Sequence, residues 1–122
     1  MHPRRLGAIA GAIGTVYAAS SLLVSHYDGN LYSLSLSDSG ALTVTGQSAT
    51  GGRMPSWITL DKEDRTAYVT DEYGSGRPVL AAFNIGADGK PTKKGEAQTP
   101  GGELHSCLFG GADGRGFIAM AE

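Results

Sequence analysis

GGRMPSWITLDKEDRTAYVTDEYGSGRPVLAAFNI, residues Gly51 to Ile85, is the stretch whose reading decides the fold. It opens on a glycine pair, carries two short apolar runs split by a charged turn, passes a Gly-rich turn and closes on a third apolar run. Sliding the sequence along itself by 50 residues lays Gly51–Glu72 on Gly101–Glu122 without a gap. Gly51/Gly101, Gly52/Gly102, Ser56/Ser106, Arg65/Arg115 and Glu72/Glu122 are then identical. Apolar positions also stay apolar, as Met54/Leu104, Trp57/Cys107, Ile58/Leu108, Ala67/Phe117, Tyr68/Ile118 and Val69/Ala119 show.

A shorter copy precedes this unit. Leu22–Ser25 matches Ala67–Thr70, Tyr27-Asp28-Gly29 matches the Tyr73–Gly76 turn, and Leu31–Leu36 matches Val79–Ile85. Ser39-Gly40 then falls on Asp88-Gly89, and Gly46 on Gly95. A fixed period of roughly 40–50 residues, filled with short apolar runs and turns, marks the four-stranded blades of a propeller. Composition agrees, since 19 glycines and 18% charged residues in 122 describe a turn-rich folded chain rather than a helical or disordered one. The expectation is therefore an all-β chain, a β-propeller of which about two blades are present. Residues 19–50 form an incomplete first blade, 51–100 a complete repeat and 101–122 the start of the next. Closed propellers use roughly four to eight blades, so the chain reads as the N-terminal part of something larger.

Within the complete repeat the innermost strand is expected at Ser56–Leu60, the second at Ala67–Thr70, the third at Val79–Ile85 and a polar outer one at Lys93–Gln98. Asp61–Arg65 is a charged hairpin connection, Gly74-Ser-Gly76 supplies positive φ, and Asp88-Gly89 is a hairpin signal. Pro78 falls at a strand start, where its missing N–H costs little. Innermost strands line the channel of a propeller. Polar residues entering them from the Gly-Gly turns therefore project toward its funnel, and Arg53, Ser56, Glu103, His105 and Ser106 are the channel-side set.

The first residues read differently. Met1–Ala18 carries Arg4 and Arg5, then an uncharged run from Leu6 to Val16, then Val16-Tyr17-Ala18 as a small-residue cleavage site, the layout of a secretory signal peptide. That apolar run is too short for a membrane span of about 20 residues. The expected location is extracellular, with no membrane partner. Loss of residues 1–18 removes two of ten basic residues and no acidic one, taking the formal net charge from −2 to −4. A mildly acidic chain without a basic cluster argues against nucleic acid as a partner. Cys107 is the single cysteine, which excludes a disulfide framework within the chain. Its repeat mate is Trp57, so a packed thiol is expected. No metal site is readable. Asp61, Glu63 and Asp64 lack the alternating ligands of a Ca²⁺ loop, and His26 has no partner at zinc spacing. Gly51-Gly52 and Gly101-Gly102 precede strands rather than helices and are not phosphate loops. No cofactor is expected.

The series Gly-Gly-x-x-(Pro or His)-Ser, apolar strand, then Asp61-x-x-x-Arg65-x-x-Tyr68-Val69, Tyr73-Gly-Ser-Gly76, third strand and Asp88-Gly89 resembles the seven-bladed β-propeller lactonases. That family includes propeller-type 6-phosphogluconolactonases and the fungal 3-carboxy-cis,cis-muconate lactonizing enzyme. The resemblance runs from about Leu22 to Glu122 and implies a carboxylic ester hydrolase acting on a small-molecule lactone or carboxylate. It also places His105 where the family often has a histidine before an inner strand. An imidazole there suits acid–base work near neutrality, with Arg53, Ser56, Glu103 and Ser106 as substrate-binding candidates. The alternative for His105 is a turn histidine bonded to the backbone. One histidine and one arginine do not make up a full set for lactone opening or for muconate cyclisation, so these residues alone are not expected to be active. The other readings are a carboxymuconate cyclase-type isomerase, a non-catalytic propeller binding module and an inactive truncated product.

Overall fold

The computed structural model describes residues 20–122, and the expected signal peptide lies outside the described residues. Among the described residues nine strands form three antiparallel sheets. The first sheet is β1 (Ser20–His26), β2 (Asn30–Leu36) and β3 (Leu42–Ala49), in that order. The second holds β4 (Pro55–Asp61), β5 (Thr66–Asp71), β6 (Val79–Ile85) and β7 (Pro91–Gln98), and the third is the hairpin of β8 (His105–Phe109) and β9 (Phe117–Ala121). Strands and turns fall where the repeat places them, and the chain is all-β with the four-stranded meander of a propeller blade at its centre. β1 occupies the second-strand position of its sheet, and among the described residues no strand stands in the innermost position of that sheet.

The repeat extends to a defect. β2 and β3 slip by one residue after Ser33, opposite Gly46, and β6 and β7 slip in the same way after Ala82, opposite Gly95. A bulge adds local right-handed twist, and both outer strands receive it at equivalent places. Turn chemistry sets the hairpins. The Asp61 carboxylate accepts from the Glu63 and Asp64 amides, both at 3.2 Å, and Arg65 then takes a left-handed conformation at φ 49°. Its side chain holds the position by donating to the carbonyls of Ile85 (2.9 Å) and Gly86.

Sheets stack face to face. Leu31, Ala67, Val69, Ala81, Phe83 and Ile85 are buried between the first and second sheets, with Leu23 and Ile58 against them. Truncating a fully buried ring such as Phe83 to alanine costs about 3–5 kcal/mol in a packed core. The opposite face of the second sheet meets the third through polar contacts. Trp57 Nε1 and Thr59 Oγ1 both donate to the Ser106 carbonyl, at 3.1 and 2.8 Å, and the hydroxyls of Thr59 and Ser106 lie 2.7 Å apart.

Cys107 departs from expectation. Its thiol is exposed, because Cys107 alternates with buried Ser106 along β8 and so points away from the second sheet. Trp57, its repeat mate, has the third sheet laid against its face; among the described residues nothing is laid on the corresponding face of β8.

One ion pair closes the polar contact. Asp61 is 4% exposed and both of its carboxylate oxygens accept from Arg115 Nη1, at 2.7 and 2.8 Å, while Nη2 of Arg115 donates to Asp113 at 2.9 Å. Burial pushes the Asp61 carboxyl up, but the Arg115 hydrogen bond and charge, with the two backbone amides, outweigh it and hold the carboxyl below its ordinary 3.8. A depressed carboxyl stabilises the folded state above its unfolded pKa and stops doing so as pH falls through the folded value. Asp61→Asn is therefore expected to lower the thermal midpoint by several degrees at neutral pH, with the gap to wild type narrowing below about pH 4. Calorimetry at pH 7 and pH 3 checks it, and an equal gap at both would show that the charge contributes nothing.

Candidate functional site

Four connections meet at one end of the sheets, because β1 and β5 end there while β4 and β8 begin there. They are the β1–β2 turn at Tyr27–Gly29, the crossing from β3 to β4, the β5–β6 loop and the crossing from β7 to β8. Backbone bonds tie them into one rim. The Thr50 amide donates to the Gly29 carbonyl at 2.9 Å, Glu72 to Met54 at 3.1 Å, and Thr99 to Pro78 at 3.1 Å.

Asp71 is the anchor of this rim. It is 2% exposed, and its carboxylate accepts the backbone amides of Met54 (2.8 Å), Arg53 (3.1 Å) and Tyr73 (3.2 Å). Three N–H donors satisfy a buried carboxylate and fix both flanking loops at once. The approach requires glycine at position 52, where a Cβ would stand 2.5 Å from Asp71 Oδ2. Gly101 is required for a second reason, since it sits at φ +101° and a Cβ would come within 2.9 Å of the Tyr73 carbonyl.

Polar side chains gather above this frame. Arg53 lays its guanidinium over the Tyr73 ring, 4.6 Å from the centroid, and Nη1 donates to the phenol oxygen at 3.3 Å. The Tyr73 hydroxyl is held below its ordinary pKa, first by a hydrogen bond with Ser75 and then by the Arg53 charge. Tyr27 reaches from the first sheet to the second and donates to Glu72, and that bond raises the Tyr27 pKa. Tyr32 donates to Asp28 at 2.5 Å, which lowers the Asp28 carboxyl. Beside them Lys93 donates to the Thr50 carbonyl at 2.7 Å and to Glu96 at 2.6 Å, with Arg77 on the other Glu96 oxygen at 3.3 Å. Lys93, by hydrogen bond and charge, holds the Glu96 carboxyl low.

The five residues singled out from sequence separate into two groups. Arg53 and His105 are exposed, the first on Tyr73 and the second with its ring 4.2 Å from that of Trp57 at an angle of 44°. Ser56, Glu103 and Ser106 come together instead along the line where β4 meets β8. The Ser56 hydroxyl donates to the Glu103 carbonyl at 3.4 Å, and the Ser106 hydroxyl lies against Thr59. Glu103 is 2% exposed and its carboxylate accepts from the Gly101 amide (3.0 Å) and the Thr99 hydroxyl (3.1 Å), which shapes the crossing into β8. Tyr27, Glu72 and Tyr73 were not on the sequence-derived set. The available signal was a tyrosine in the equivalent turn of successive copies, at Tyr27 and Tyr73.

Chemically, the rim offers one guanidinium seated on an aromatic ring, one exposed imidazole and two phenol–carboxylate pairs. Among the described residues no three His, Cys, Asp or Glu side chains converge so as to hold a metal ion. Thr70, opposite Trp57 in register, carries a buried hydroxyl with no partner among the described residues.

Among known proteins, the family model described as lactonase, 7-bladed β-propeller, matches residues 21–122. No curated protein matches the chain, and no solved structure does. The family match covers β1 from Ser21 onward, the eight strands that follow and most of the sequence. The chain belongs to the lactonase family of seven-bladed β-propellers.

Proposed function

We propose that the complete protein hydrolyses a sugar lactone bearing an anionic group, in the manner of a propeller-type 6-phosphogluconolactonase, and that the rim where Arg53 and His105 stand supplies part of its site. The observation that supports this reading is the exposed Arg53 guanidinium held on Tyr73, in a chain of the lactonase family. Lactone opening adds water to the carbonyl carbon as a base removes the proton. The ring C–O bond then breaks, the departing alkoxide takes up a proton, and a hydroxy acid leaves. His105 has the chemistry to take the water's proton. Arg53 has the chemistry to hold the anionic substituent or the oxyanion, with its orientation set by the ring beneath it.

A carboxymuconate cyclisation would ask for several cations to hold carboxylates. Lys93 and Arg77 are already spent on Glu96, which favours the lactone reading. A binding module would keep the anion contact and show no turnover.

The test is acid release from a panel of sugar lactones by the complete natural gene product. Arg53→Gln is expected to raise KM more than it lowers kcat, and His105→Gln to lower kcat by roughly 10²-fold or more. Absence of acid release from every lactone overturns the proposal. An absorbance change with carboxymuconate in its place would transfer the reading to the cyclase.

Export is part of the same proposal and is supported by the charge and hydropathy layout of Met1–Ala18. Mass spectrometry of culture medium should find a mature protein beginning at Ala19. A protein retaining Met1 and confined to cells would remove the extracellular assignment.

A further inference from the structure

The backbone around His105 is fixed while its ring is held by a single neighbour. His105 opens β8 opposite Ala121, and the residue on each side of it is bonded: the Leu104 amide donates to the Ala121 carbonyl at 2.9 Å, and the Ser106 carbonyl accepts from Trp57 Nε1 and Thr59 Oγ1. Among the described residues its ring nitrogens have no hydrogen-bond partner. The ring rests instead against the indole of Trp57, with centroids 4.2 Å apart and planes inclined by 44°.

An imidazole on a fixed backbone still has two torsions to settle, and a base must bring one nitrogen within about 3 Å of the proton it takes. Triad histidines are oriented by a carboxylate bonded to the second nitrogen. Contact with an indole face restrains both torsions in another way, and it leaves both nitrogens open at the edge of the ring. The indole is itself anchored, since its Nε1 donates at 3.1 Å to the carbonyl of the residue that follows His105. The group that orients the ring and the strand that carries the ring are thereby tied to each other.

Both partners of this stack are departures from the repeat. The mate of Trp57 is Cys107 and the mate of His105 is Pro55, whereas Ser56 and Ser106 at the same junction are shared. A contact required by every junction between sheets would recur in both copies. The stack serves something particular to this end of the molecule.

We infer that Trp57 is a positioning residue whose indole face orients the His105 imidazole for proton transfer, an inference that rests on the lactonase reading above.

The test uses the complete protein and reads both turnover and the ring. Protons over an indole face resonate upfield, so the His105 ring protons, identified by their loss in His105→Gln, are expected upfield of other imidazoles and should return in Trp57→Leu. In that variant kcat should fall roughly tenfold or more, with KM changed by less than about twofold. Trp57→Phe keeps an aromatic face but removes the N–H bond to Ser106, and it should retain most of kcat. Thr59→Val removes the other side-chain bond to the same carbonyl without touching the stack. It should lower the thermal midpoint and leave kcat unchanged. Unaltered kcat or unmoved ring protons in Trp57→Leu overturn the inference and leave the lactonase reading standing. Trp57→Phe as slow as Trp57→Leu, or an equal loss in Thr59→Val, overturns it as well by giving the effect to the Ser106 bond. Absence of acid release by the unsubstituted protein overturns the reading and the inference together.

Discussion

Phe83, Ala67, Val69 and Ala81 are wholly screened from solvent because one sheet lies flat on another, and this face-to-face contact is the constraint that the molecule is built on. β5 is an inner strand of the second sheet and has neighbours on both faces. Thr66 and Thr70 are as buried on one side as Ala67 and Val69 on the other. Along β5 the second sheet is therefore covered on both sides. The first and third sheets differ from it. Leu22 and Val24, which hold the repeat positions of Ala67 and Val69, are 40% and 43% exposed. The same sequence position is core or surface according to what is laid against it, not according to its own hydropathy.

The two contacts of the second sheet divide the work of stability and register. Toward the first sheet the contact is apolar, and burial there is non-directional, so it favours closeness without fixing a slide of one sheet over the next. Toward the third sheet the contact is made of Trp57, Thr59, Ser106, Asp61 and Arg115. Hydrogen bonds and a charge pair depend on angle and distance, so that contact fixes where β8 lies along β4. A displacement of one residue would strand the Asp61 carboxylate without its guanidinium, in a place where an unpaired charge is costly.

Most of the fold was legible because its signals are local and repeated. Short apolar runs, the Asp61–Arg65 and Asp88-Gly89 turns and the 50-residue self-match gave the strands to within a residue or two at each end. The bulges opposite Gly46 and Gly95 were marked by glycines that the repeat aligns. What could not be read was which face of a strand would be covered. Cys107 takes an apolar position of the repeat and is nevertheless exposed. Glu103, a polar residue entering an inner strand, turned out to be buried with its carboxylate occupied by the Thr99–Gly101 crossing. Sequence pattern gives the period of alternation but not the neighbour that each face receives.

The rim shows why chemistry is harder to find in a repeat than architecture. Arg53 and Glu103 are repeat mates of opposite charge and opposite fate. The first is held outward on Tyr73, and the second folds inward to cap Gly101. Pro55 and His105 are mates as well, one closing a strand start against Asp71 and the other presenting a ring on Trp57. Shared positions such as Ser56/Ser106 and Arg65/Arg115 went to holding strands and sheets in place, whereas Arg53 and His105 are places where the copies disagree. Repetition conserves what stacking needs. Any chemistry specific to one end of the molecule has to be sought in the departures from the repeat, where the backbone is held by residues such as Asp71 and the side chain is free to differ.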